Sequence, residues 1–129
     1  MIRAYDKSLL FWAQRHLGTF LDYSVNALAY PIDTIWTLFL SSSVSLSFSR
    51  GETNTILGRS GKELVLDVLS YSGYGVIETE ETKEKDSGRS EEYWTGWSLA
   101  YYQWYTSLSF DEMNQSRSIN NPRDKSRGM

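Results

Sequence analysis

Between Tyr93 and Tyr105 the chain carries seven aromatic side chains and not one charge. No other stretch constrains the fold as strongly, because so much apolar ring surface must either pack inward or meet a partner. At about 100° per residue, Tyr93, Trp94, Trp97, Tyr101, Trp104, Tyr105 and Leu108 share an arc of about 120°, the pattern of an amphipathic helix. Ser90 is placed to cap that helix, and Glu91 and Glu92 fall in its first turn, where the dipole favours anions. The arc is expected to be mostly buried. Leu99, Tyr102 and Gln103 lie off it and are expected to face outward.

The rest of the chain also reads as helices. Leu10, Ala13, Leu17, Phe20, Leu21 and Leu28 recur at three- and four-residue steps, predicting a helix from about Asp6 to Leu28. Gly18 is a weak point within it, at about 1 kcal/mol against alanine. Pro31 forces that helix to end. A second helix is expected from Asp33 as N-cap, with Ile35, Trp36, Phe39 and Leu40 buried. Beyond it, Val44, Leu46 and Phe48 alternate with serines. That pattern fits either a strand or a helix running to Phe48, with Gly51 just past its end. Ser60 and Glu63 have the spacing of a capping box ahead of Leu64, Val65, Val68 and Leu69, and Gly73 can close that helix. Residues 74–92 read as a solvated connector, SLSFDEM as a further turn capped by Ser109, and residues 114–129 as a disordered basic tail. The fold class is therefore all-α, a small single domain of four to five helices spanning residues 1–113.

Bulk properties narrow the function. The chain has 129 residues, one histidine and no cysteine, so thiol catalysis, disulfides and thiolate metal sites are excluded. The opening MIRAYDKSLLFWAQRH does not read as a signal peptide, and the uncharged run Thr34 to Ser49 holds six serines, too short and polar for a bilayer crossing of about 20 residues. A cytoplasmic protein is expected. The net charge is −3, and residues 78–92 alone carry seven acids against three bases. No basic face is evident, so nucleic acid is not the expected partner. Glu78, Glu80, Glu81, Glu84 and Asp86 lack the spacing of a calcium loop, and the glycines at 51, 58 and 61 match no phosphate-binding motif. No catalytic residue, metal site or cofactor is assigned. The candidates for binding a protein partner are Trp94, Trp97, Leu99, Tyr101, Tyr102, Gln103, Trp104 and Tyr105, joined by Glu80, Glu81 and Glu84 of the acidic run.

Three segments carry a resemblance: Leu17, Gly18, Asp22, Tyr23, Val25 and Asn26; Gly58, Ser60, Gly61, Glu63 and Leu64; and the run from Ser90 to Tyr105. Together they resemble a family of small proteins from anaerobic gut bacteria, with "LGxxxDYAVN", "GxSGxEL" and "SxEYWxGWxLAYYQWY" motifs. The resemblance spans residues 8–113. It implies a helix across VSLSFS and a gene neighbourhood with ADP-ribosyltransferase-like products, as in toxin–antitoxin or defence modules. Family members continue after the aromatic helix with another apolar segment, whereas here the chain turns to NQSRSINNPRDKSRGM. The leading expectation is a non-catalytic module that binds and neutralises or regulates a partner protein, such as an antitoxin or accessory subunit. One alternative is a mobile-element inhibitor of a host defence nuclease, acting through the acidic run. The other is a small enzyme handling NAD or ADP-ribose through Glu63, or through Asp22 with Asn26.

Overall fold

The computed structural model describes residues 3–73 and 89–119. Within them the chain is all-helical and forms a small bundle without strands. A short 3₁₀ turn, Lys7–Leu9, is capped by the Asp6 carboxylate, which accepts from the Ser8 amide at 2.8 Å. It leads into α1, Leu10–Asp22, whose last stretch widens into a π-helical segment, Tyr23–Ala27. Leu10, Ala13, Leu17, Phe20 and Leu21 are all buried, as their spacing predicts.

The second helix departs from expectation in two ways. It starts two residues earlier, as α2, Ile32–Ser41, with Pro31 rather than Asp33 at the cap. Pro31 sits at φ −60° and ψ 141°, an entry that its ring favours and that sacrifices no amide donor. The chain then breaks at Ser42, which is extended, before α3, Ser43–Ser49. Ser42 causes the break by closing on itself: its amide and hydroxyl both bond the Phe39 carbonyl, at 3.1 and 2.7 Å. Such local hydroxyl-to-backbone bonds compete with the helical ladder. The helical reading of VSLSFS holds, and Gly51 follows at φ +74°.

A one-turn helix, α4, Thr53–Ile56, precedes α5, Gly61–Tyr71. The capping box on α5 is complete, with Ser60 and Glu63 satisfying each other's amides at 3.1 and 3.2 Å. The aromatic helix is α6, Glu91–Thr106, capped by Ser90. Ser109 and Glu112 form a second capping box, which opens α7, Phe110–Ile119. This helix runs to Ile119, into the stretch that begins at residue 114 and was expected to be a tail.

The core is an aromatic cluster at the centre of the bundle. Phe39 lies within 5.0–5.4 Å of Trp36, Phe20 and Phe110, and Phe48 is 5.7 Å from Phe110. Phe110 is fully buried and its amide donates to the Ser49 hydroxyl at 3.2 Å. The serine-rich run is therefore uncharged because α3 lies in the packing layer and lends its polar atoms to neighbouring helices. No helix among the described residues is long and apolar enough to cross a membrane.

Candidate functional site

Helices α1 and α6 lie side by side and antiparallel. Ala4 bonds Trp104 at one end, Gln14 reaches the Trp97 carbonyl midway, and Asp22 meets Ser90 at the other. They approach so closely that only glycine fits where they cross. A Cβ on Gly96 would lie 2.5 Å from the Leu17 carbonyl oxygen and 2.7 Å from the Gly18 Cα. Gly18, a weak point by propensity, is here the residue that allows contact.

That crossing decides which way the aromatic helix faces. Its buried side is Tyr93, Gly96, Ala100, Gln103 and Trp104, a face rotated about a quarter turn from the centre of the aromatic arc. The expectation that the arc is mostly buried is therefore wrong. Of its members, Trp94, Tyr101 and Tyr105 are exposed at 45, 45 and 42%, and Trp97 is half-buried. Small residues won the interface because close backbone approach buries more of both helices than a layer of rings would allow.

Two expected outward residues are corrected by the same rotation. Gln103 is buried, and its amide nitrogen donates to the carbonyls of Ser49 at 3.1 Å and Leu108 at 2.8 Å. It ties α3 to the end of α6. Leu99 is half-buried and packs against the core. Trp104 is also buried, and its indole N–H donates to the Tyr5 carbonyl at 2.7 Å. Tyr102 does face solvent. Glu80, Glu81 and Glu84, with Glu78 and Asp86, lie outside the described residues.

The outward rings form one surface with two residues that sequence reasoning missed. Phe11 and Trp12 of α1 are exposed at 50 and 42%. Phe11 meets Trp12 edge-on at 5.3 Å and Trp97 at 6.0 Å. Trp97 continues to Trp94 at 5.7 Å. Further along, Tyr101 stacks on Tyr105 at 5.9 Å, and the Arg3 guanidinium lies 3.8 Å above the Tyr105 ring. Arg89 stands 5.8 Å from the Trp94 ring at the other end. The signal for Phe11 and Trp12 was available: both fall off the Leu10–Ala13–Leu17 stripe, so a helix burying that stripe must expose them.

No protein-family model, curated protein or solved structure matches this chain. Its chemistry must be judged from the side chains alone. Asp22 is buried and accepts from the Ser90 hydroxyl at 2.5 Å and from Asn26 at 3.0 Å, while Asn26 also donates to Glu92 at 2.9 Å. That network locks the α6 N-cap onto the end of α1. Glu63 is engaged in its capping box, and its bonds to Ser60 hold its carboxyl below the usual range. The residues of the enzyme alternative thus have structural tasks.

His16 is half-buried, and its Nδ1 bonds the Ile56 carbonyl at 2.7 Å. Burial pushes its pKa below the ordinary value, outweighing that bond, so the ring is neutral at pH 7 and Nδ1 carries the proton. Two adjoining open hollows of about 330 and 410 Å³ share Trp12, His16 and Ser60. Among the described residues, no group of three or more potential ligands is placed to hold a metal ion.

Proposed function

We propose that the chain is a non-catalytic protein-binding module that holds a partner protein on the aromatic face of α1 and α6. The observation that carries the reading is the joined run of exposed Trp12 and Phe11, half-buried Trp97 and exposed Trp94, with a second exposed pair, Tyr101 and Tyr105, further along α6. A lone exposed ring needs no explanation, but a joined set on two helices has the composition of an interface hot spot. Aromatic rings also cost little entropy to fix, having only two side-chain torsions each. The acidic run of residues 78–92 would speed encounter with a basic partner. A partner of that kind fits the antitoxin or accessory role implied by the family resemblance, in which binding occludes the partner.

The test is retention of a partner from the native host by the tagged full chain, compared with Trp97→Ala and with Phe11→Ser/Trp12→Ser. The reading expects one protein retained by the wild type and lost by both variants, with unchanged far-UV circular dichroism. Equal retention by all three would reject the aromatic face as the docking surface.

A further inference from the structure

The exposed residues of α6 are arranged symmetrically about its midpoint. Ser98 is exposed there. Three residues away on either side stand Thr95 and Tyr101, four away Trp94 and Tyr102, and seven away Glu91 and Tyr105, all six exposed. Those steps are the spacing of any one-sided helical stripe; here the stripe is centred on a short residue at the helix midpoint, so an isologous contact, which pairs residue i with j and j with i, can use its whole length. We infer that this outer strip of α6 is a self-association surface, on which the α6 of a second copy packs antiparallel about an axis beside Ser98. The inference rests on the reading of the aromatic face as a docking surface and assigns the α6 strip of it; Phe11 and Trp12 on α1 lie outside the pairing.

Shape and charge both favour this occupant. The N-terminal half of the strip is an open groove of about 470 Å³ lined by Glu91, Trp94, Thr95, Ser98 and Leu99. The C-terminal half offers three tyrosine rings. Antiparallel pairing about Ser98 brings Tyr101, Tyr102 and Tyr105 of the second copy opposite Thr95, Trp94 and Glu91, so a ring meets the small Thr95, two rings meet at Trp94, and a third meets Glu91. The short Ser98 side chains let the helices close at the axis. In the same register Glu91 finds a cation, although Arg89, 5.8 Å from the Trp94 ring, stands at the same end. Glu91 comes beside Tyr105 of the second copy, the ring over which Arg3 stacks at 3.8 Å, and symmetry repeats that attraction at the other end. The helix dipoles also oppose. Parallel pairing would instead set Glu91 against Glu91 and Arg3 against Arg3.

The four rings of the strip are exposed by 42–54%, which places on the order of 400 Å² of ring surface in play. A standard interface takes about 800 Å² from each partner. The expected assembly is a reversible dimer that depends on concentration, not an obligate one.

Sedimentation equilibrium of the full chain tests this between about 10 μM and 1 mM. The wild type is expected to shift from monomer to dimer over that range. Ser98→Arg and Ser98→Glu each set like charges together at the axis and should remain monomeric where the wild type is mainly dimeric. Both substitutions fall on an exposed helical site, and circular dichroism confirms that each variant is folded; Tyr102→Ser is a third variant expected to weaken pairing. An equimolar mixture of Ser98→Arg and Ser98→Glu should restore dimers, because residue 98 of one copy then meets its opposite charge. A wild type monomeric throughout, a Ser98→Arg variant that still dimerises, or a mixture that stays monomeric would each overturn the inference. A monomeric wild type that still retains its partner through Phe11, Trp12 and Trp97 would leave the docking reading intact. A dimer that retains no partner would do the reverse.

Discussion

At the scale of single residues, the decisive positions are small. Gly96 is the clearest case, because two general rules give it opposite signs. Alanine is the better helix former by about 1 kcal/mol, yet its Cβ would press on the Leu17 carbonyl and the Gly18 Cα, both backbone atoms. Overpacking against backbone wins, so Gly96→Ala should lower stability by about 1–3 kcal/mol in urea unfolding. His16 supplies the second residue-scale prediction. Its folded pKa lies below the ordinary value of 6.5 because burial opposes the charged ring, so the unfolded state takes the proton first. Stability from His16 is therefore full above about 6.5 and declines as pH falls toward the folded pKa. His16→Gln should flatten the pH dependence of the melting temperature below that value, and an unchanged slope would show that the ring is solvated.

At the scale of elements, most local signals survived folding, the cap at Asp33 excepted, and directional ones did not. The caps at Ser60, Ser90 and Ser109 were legible because a cap is settled within four residues of chain. The end of α2 was not legible, because Ser42 can either continue a helix or bond back to Phe39, and sequence does not rank the two. The orientation of α6 was misread for a physical reason. Hydrophobicity assigns Trp94, Tyr101 and Tyr105 to the interior, whereas the contact with α1 needs Gly96 and Ala100. That four-residue spacing of small side chains, set against Gly18 on α1, was the available clue. The orientation has an energetic consequence. Trp104→Ala should cost about 3–5 kcal/mol, since it empties a buried site and removes the bond to Tyr5. Tyr102→Ala, equally aromatic and two residues earlier, should change stability by no more than about 0.5 kcal/mol. Comparable losses at both positions would contradict the buried face described above.

At the scale of the molecule, the helical class was legible because every apolar stripe but the alternating Val44, Leu46 and Phe48 has the period of a helix. Which surface is left over was not legible, since it depends on how α1 and α6 cross. Once crossed, they present an aromatic face at the flank of a bundle whose polar network, from Asp22 through Ser90 and Asn26 to Glu92, holds the two helices in register. That division between a scaffold built of small and polar residues and a surface built of rings is what supports the proposed docking role. Hydroxyl-radical footprinting of the dilute full chain, read by mass spectrometry, tests the division directly. Trp94, Tyr101 and Tyr102 should oxidise rapidly while Tyr93 and Trp104 on the same helix stay protected. Rapid oxidation of Trp104 together with protection of Trp94 would mean that the rings point inward and that no aromatic docking face exists.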